Sequence, residues 1–377
     1  MERSIAPYIL NDLRKKIVLV SGPRQVGKTT MAKSLMAGSE YDYLDFDNAE
    51  HRLAINEKSW DRRKPLVIFD ELHKMAEWKV FLKGIFDVEG LPPALLVTGS
   101  AKLEAFKKLG DSLAGRFFSY RLHPFDVKEA SSIMEPGEAL SRLLSVGGFP
   151  EPFLENDLVF YTRWKKSHID VILRQDLLDL SAIQDMVSIE TLIELLRGRV
   201  GSPISYANLA QDLRKDPKTV KSYLDLLESL YVIFPVRPWH RNIARSILKE
   251  PKYYFYDTAI VKGDEGKRLE NAVACILKKQ LHFLEDTRGV STELCYLKTK
   301  NGKELDFVLS QDGELTHAFE VKLSDSSRSS AFSSFESALA EARRIQIVMD
   351  CEREKTFPDG LEIRRAADYL ARIDLSV

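Results

Sequence analysis

Short apolar runs recur through the first third of the chain: Ile17–Val20, Tyr43–Phe46, Leu66–Phe69, Ala94–Val97 and Phe117–Leu122. Stretches with helical spacing separate them. Buried strands alternating with helices predict a parallel sheet covered by helices over residues 1–145. Gly147-Gly148-Phe149-Pro150 then breaks the chain and marks a boundary. Beyond it the period is helical, with segments at Tyr161–Asp179, Ile189–Arg197 and Ser205–Leu213, the last capped by Ser205. Asp216 and Pro217 open another helix, whose apolar stripe is Val220, Tyr223, Leu224, Leu227 and Leu230. An apolar run, Val232–Val236, follows as a strand that begins a wing. Two short helices and such a strand have the grammar of a helix-turn-helix over residues 146–240.

The last third, residues 241–377, carries a helix at Gly266–Leu281, with Leu269, Ala272, Val273, Ile276, Leu277 and Leu281 on one stripe. Strands at Cys295–Lys298 and Glu304–Leu309 flank a turn at Asn301-Gly302. A third strand, Leu315–Lys322, a helix around Ser329–Arg343 and a strand at Ile345–Met349 complete the order α-β-β-β-α-β.

Chemistry sharpens this outline at Gly22-Pro23-Arg24-Gln25-Val26-Gly27-Lys28-Thr29, which fits the phosphate-loop pattern G-x-x-x-x-G-K-[ST]. A strand precedes it and a helix follows. The glycines let backbone N–H groups face phosphate oxygens, and the helix N-terminus adds positive potential. Residues Gly22 to Thr30 are therefore the expected ATP-binding stretch, with Lys28 on the β- and γ-phosphates and Thr29 on Mg²⁺. Leu66–Phe69 ends in Asp70-Glu71. Asp70 is expected to hold Mg²⁺, and Glu71 to polarise the attacking water. Thr98 and Ser100, at the tip of another strand, read equally as γ-phosphate sensors and as caps of the next helix. Arg116, in Leu113-Ala114-Gly115-Arg116, reads as an arginine finger on a neighbouring subunit, as a phosphate ligand in its own, or as a surface arginine. Arg174 reads as a second sensor or a surface ion pair.

These motifs, together with Gly147–Glu151 and Pro251–Asp257, resemble the archaeal-type AAA+ ATPases of bacteria and archaea over essentially the whole chain. The resemblance implies an ATPase core, a winged-helix region and a C-terminal restriction-endonuclease-like domain. The last domain also resembles the PD-(D/E)xK nuclease fold through Glu270, Asp306, Glu320 and Lys322. Residues i and i+2 on a strand point the same way, so Glu320 and Lys322 share a face, with Asp306 on the adjoining strand. On that reading Asp306 and Glu320 hold Mg²⁺, Glu270 supports the metal, and Lys322 orients the attacking water. Leu305 stands where the motif's proline would be. A surface Glu-Lys pair on an edge strand is the alternative.

Bulk properties narrow the partners. The 377 residues exceed what one core usually takes. A formal net charge of −1 gives no global pull toward nucleic acid, so any basic patch is local. Arg197, Arg199, Arg214, Lys215, Lys218 and Lys221 form such a local cluster, suited to DNA phosphates or to a solvated packing face. No apolar stretch approaches the ~20 residues of a membrane span. Met1–Leu13 lacks an apolar block, and Cys275, Cys295 and Cys351 are too scattered for a disulfide frame, so a cytoplasmic setting is expected. Together these features anticipate an oligomeric Mg-dependent ATPase coupled to a nuclease-like domain acting on DNA. The alternative is a nucleotide-switched regulatory or scaffold protein whose C-terminal domain is inert.

Overall fold

The computed structural model describes residues 1–35, 40–99, 113–176, 185–239, 250–324 and 327–376. They form a mixed α/β protein that packs as two compact units. One comprises Glu2–His123 with Asp286–Arg288. The other holds Met1, Pro124–Glu285 and Gly289–Val377. Among the described residues no helix is long and apolar enough to cross a membrane.

The first unit is built on five parallel strands: β1 (Ile17–Ser21), β2 (Asp42–Asp45), β3 (Leu66–Asp70), β4 (Ala94–Thr98) and β5 (Phe117–Arg121). Their order across the sheet is β2-β3-β4-β1-β5. β1 and β3 are buried along their whole length, which is why they read as continuous apolar runs rather than alternating ones. Register pairs Asp70 with Thr98 and Val20 with Thr98, so the carboxyl ends of β3, β4 and β1 lie side by side. A cluster of Leu19, Val67, Phe69, Trp78, Leu82 and Val97, among others, fills one side of the sheet.

The second unit opens with helices. They include α1 (Pro136–Val146), α2 (Leu158–Val171), α3 (Met186–Arg197), α4 (Tyr206–Leu213) and α5 (Pro217–Ser229). Ser205 caps α4 and Asp216 caps α5, each by accepting a backbone N–H. Next comes an eight-stranded sheet: β6 (Ile233–Pro238), β7 (Lys252–Phe255), β8 (Thr292–Lys298), β9 (Glu304–Gln311), β10 (Glu314–Lys322), β11 (Arg343–Val348), β12 (Lys355–Thr356) and β13 (Glu362–Arg365). The order is β12-β13-β11-β10-β9-β8-β6-β7. The long helix α6 (Glu265–Arg288) joins β7 to β8 in sequence.

The strand after α5 does more than begin a wing. β6 makes a hairpin with β7 and also pairs in parallel with β8, through Arg237 with Cys295 and Pro238 with Tyr296. It thereby joins the helical segment to the C-terminal sheet. The helix expected at Ser329–Arg343 is replaced by a 3-10 turn at Phe332–Phe335. Its serines explain the difference, because they bond locally instead of leaving the backbone to a helix. Ser329 Oγ accepts the Ala331 N–H at 3.3 Å, and Ser334 Oγ donates to Ser330 O at 3.4 Å.

Candidate functional site

The phosphate loop is shaped by its backbone. Gly22, Gln25 and Gly27 have φ values of 151°, 58° and 91°. At Gly22 a Cβ would lie 2.3 Å from the carbonyl oxygen of Leu122, so only glycine fits. Gly27 then caps the helix Lys28–Ser34, whose N-terminus opens at the loop. Lys28 is buried, and its ammonium donates to the carbonyls of Gly22 at 3.0 Å and Pro23 at 2.7 Å. Val26 is fully buried beneath the loop, while Gln25 and Thr30 are exposed.

Asp70 is the hub of the site. Its Oδ2 accepts the Thr29 hydroxyl at 2.6 Å and the Tyr43 hydroxyl at 2.9 Å. Its Oδ1 accepts the Thr98 hydroxyl and the Glu71 N–H. The sheet order explains this convergence: β4 lies between β3 and β1, so Thr98 sits between Asp70 and the phosphate loop. Thr98, expected as a γ-phosphate sensor or a helix cap, spends its hydroxyl on Asp70. Ser100 lies outside the described residues.

Glu71 has φ of 54°, a left-handed conformation unusual for a glutamate. Its Oε2 is buried with no hydrogen-bond partner. His73 Nε2 lies 3.7 Å away and Lys74 Nζ 3.5 Å away. Lys74 is itself drawn to Asp47 at 2.5 Å. Burial pushes the Glu71 carboxyl above the usual carboxylate value, against the pull of Lys74 and Lys28. A carboxyl raised in this way beside Asp70 has the chemistry to accept a proton. Thr29 and Asp70 supply the oxygen donors that Mg²⁺ prefers, and so fit a magnesium nucleotide.

Two predicted site residues lie elsewhere. Arg116 precedes β5, at the amino-terminal edge of the strands whose carboxyl ends carry the site. It forms a bidentate pair with Asp87, at 2.6 and 3.0 Å. A phosphate-binding role in its own subunit is therefore corrected. Arg174 pairs with Asp170 on an exposed helix face, as a surface ion pair does.

Residues 14–131 match the model of the AAA domain family. This stretch is a P-loop ATPase domain of the AAA type, on a fold of the AAA+ class. Residues 137–263 and 265–365 match two domains of unknown function, DUF8612 and DUF4143. An uncharacterized protein of Mycobacterium tuberculosis is 26% identical over 353 residues, covering 92% of this chain and 78% of its own. An uncharacterized protein of Methanocaldococcus jannaschii is 23% identical, covering 87% of this chain and 80% of its own. Among solved structures, the Walker-type ATPase PABY2304 of Pyrococcus abyssi is similar at 16% identity and a TM-score of 0.41, covering 68% of this chain and 93% of that one. A RuvB variant of Thermotoga maritima is similar at 17% identity and a TM-score of 0.32, covering 61% and 86%.

A second polar cluster lies well away in sequence from the AAA domain, on the C-terminal sheet. The antiparallel register pairs Phe319 with Phe307, which sets Glu320 opposite Asp306 on the other face. Asp306 Oδ2 accepts the Val321 N–H at 2.8 Å. Burial pushes the Asp306 carboxyl well above its ordinary value, with Glu270 and Glu320 adding to the shift. Glu320 Oε1 meets Lys322 Nζ at 2.8 Å and the Ser329 hydroxyl at 3.2 Å. Glu320 is 5% exposed, and its Oε2 is buried with no hydrogen-bond partner.

Glu270 has further partners that its sequence position did not suggest. Among the described residues no three His, Cys, Asp or Glu side chains converge as a metal-holding group. Glu270 Oε1 accepts the Tyr254 hydroxyl at 2.7 Å and faces Lys252 Nζ at 3.7 Å. The pair Asp306 and Glu320 remains, which suits an ion that takes one or two carboxylates and completes its shell with water and phosphate.

Sequence reasoning did not assign Lys252, Tyr254 and Glu304. Lys252 is 1% exposed and meets Glu304 Oε1 at 2.5 Å; Lys298 meets Glu304 Oε2 at 3.1 Å. Burial lowers the Lys252 pKa, but Glu270, Asp306 and Glu304 outweigh it, and the ammonium ends above the usual lysine value. The available signal was a lysine immediately before the aromatic run Tyr253-Tyr254-Phe255-Tyr256.

In the helical segment, ion pairs claim half of the basic cluster. Arg197 pairs with Glu194 at 2.6 Å, Arg199 with Asp212 at 2.7 Å and Lys215 with Asp185 at 2.5 Å. Arg214, Lys218 and Lys221 are exposed.

Proposed function

We propose that this protein is a magnesium-dependent ATPase that acts on DNA through a PD-(D/E)xK nuclease-like C-terminal domain. The observation that carries the ATPase reading is Thr29 hydroxyl against Asp70 carboxylate at 2.6 Å, with Glu71 next in the chain. Thr29 and Asp70 would hold Mg²⁺, which would offset the negative charge of the nucleotide's phosphates. Lys28 would leave the Gly22 and Pro23 carbonyls for the phosphates, and Glu71 would take the proton of the attacking water.

The proposed division is an ATPase domain at 1–145, a winged-helix domain at 146–240 and the nuclease-like domain at 241–377. Three features support the winged helix: α4 and α5, the β6–β7 hairpin, and the isolated bridge between Pro203 and Lys252. Lys218 and Lys221 are the residues offered to phosphate. Arg116 would act only in trans, in a homo-oligomer, after leaving Asp87. Asp306, Glu320 and Lys322 on adjoining strands, with an unpartnered Glu320 oxygen, support the nuclease-like reading.

The test combines ATP turnover with plasmid and single-strand cleavage in Mg²⁺ or Mn²⁺. Metal-dependent cutting that disappears in Glu320→Ala is the expected result. If no condition yields metal-dependent cutting, or if Glu320→Ala cuts normally, the nuclease reading fails. One observation favours the second reading, a nucleotide switch with an inert platform. Lys252, Lys298 and Lys322 already offset most of the charge on Glu270, Glu304, Asp306 and Glu320.

A further inference from the structure

Four carboxylates gather on one face of the C-terminal sheet, and their cations are unequally placed. Lys322 and Lys298 are each over a third exposed, at 38% and 39%, and reach in from solvent. Lys252 is different. It comes from β7, beyond the motif strands, and its ammonium is sealed at 1% exposure between Glu304 and Glu270. Tyr254, two residues along the same strand, holds Glu270 Oε1 from the same side. Gly201 lets the chain before α4 close over that carboxylate, because a Cβ there would stand 2.6 Å from Glu270 Oε2.

Lys252 thus occupies the space among Glu270, Glu304 and Asp306 that a cation must fill. A buried oxygen with no hydrogen-bond partner, Glu320 Oε2, belongs to the strand on the other side of Asp306. With all four carboxylates ionised, three lysines leave one negative charge, on the Asp306–Glu320 side, where burial and the neighbouring acids push Asp306 toward its protonated form in the absence of a cation. A single divalent ion there over-compensates it by one unit. A second ion would have to displace a buried ammonium from two carboxylates, which leaves that ammonium desolvated and unpaired.

We propose that Lys252 is a positioning residue of the carboxylate site that stands in for a second metal ion, so that the site takes one divalent cation at Asp306 and Glu320. The inference rests on the metal-binding reading of these carboxylates given above, and the experiment separates the two.

Manganese is titrated calorimetrically into the full chain without nucleotide, alongside a variant in which all four acids are neutralised, Glu270→Gln/Glu304→Gln/Asp306→Asn/Glu320→Gln. The AAA domain contributes equally to both, so the difference counts the ions of the C-terminal site. One ion is expected. Two would overturn the role of Lys252 while leaving the metal reading intact. No difference would overturn the metal reading itself. Lys252→Gln is expected to raise the count from one to two by freeing Glu270 and Glu304, whereas Lys252→Arg, which keeps the cation, stays at one. A folded Lys252→Gln that still takes one ion overturns the proposal. Should that variant fail to fold, the wild-type count and Lys252→Arg still decide it.

Discussion

The Thr29 hydroxyl donates to the Asp70 carboxylate at 2.6 Å across 41 positions of sequence. This contact joins the end of the phosphate loop to the end of β3, the place proposed above for a magnesium ion. Its neighbours divide the work: Lys28 faces the loop, and Glu71 faces the buried side. Lys28→Ala should therefore abolish ATP binding, measured by equilibrium dialysis or fluorescence. Glu71→Gln should bind ATP normally and lose turnover by ~10²-fold or more, the contribution of a general base. Equal turnover in Glu71→Gln and wild type would defeat that assignment.

Tyr43 and Thr98 hold the Asp70 carboxylate in place without facing the loop lysine. Tyr43→Phe removes one donor and leaves the ring. Turnover should fall by ~3- to 10-fold, in line with the ~1 kcal/mol net value of one hydrogen bond. The apparent requirement for magnesium should rise, and ATP binding measured without metal should not change. A magnesium titration of the ATPase rate reads this directly.

Gly22→Ala should be among the most damaging small substitutions in the AAA domain. The added Cβ meets a backbone oxygen, that of Leu122, at 2.3 Å and cannot be relieved by a side-chain rotation. A loss of ~2 kcal/mol or more is expected, with loss of nucleotide binding. Thermal melting with and without Mg-ATP separates the two effects. An unchanged melting temperature would contradict the crowding at this position.

Asp257 sets a pH dependence in the second unit. Burial pushes its carboxyl up to about 6, although Tyr161 donates a hydrogen bond to it at 2.9 Å. The folded value lies above the unfolded one, so the group favours folding at low pH. That advantage fades as pH rises from ~4 through the folded value near 6. The loss is on the order of 3 kcal/mol by pH 7. Asp257→Asn should flatten denaturation midpoints between pH 4.5 and pH 7.5. A slope identical to wild type would show that this carboxyl does not titrate in that range.

The AAA domain was legible in the sequence because its signals are local. Gly22, Gly27 and Lys28 lie within one loop, and the apolar runs of β1 and β3 need no long-range information to read as buried. Glu320 and Lys322 were legible for the same reason, through the two-residue repeat of a strand. Lys252 was not. It lies 18 residues from Glu270 and 52 from Glu304, and the contacts arise only when β6 pairs with β8 and carries β7 along. Glu270 read as a metal supporter because its helix position was correct, but its partners came from that unseen strand. The missing helix at Ser329–Arg343 has a third cause, serine side chains that take backbone partners for themselves.

The seam between the two stretches of unknown function falls between residues 263 and 265. Lys252 and Tyr254 lie on one side of it, and Glu270, Glu304, Asp306 and Glu320 on the other. A gene rearrangement cutting at that seam would strand four acids without their interior counterion. A recombinant that exchanges either stretch alone would therefore need a matching lysine to keep the acids of its partner paired.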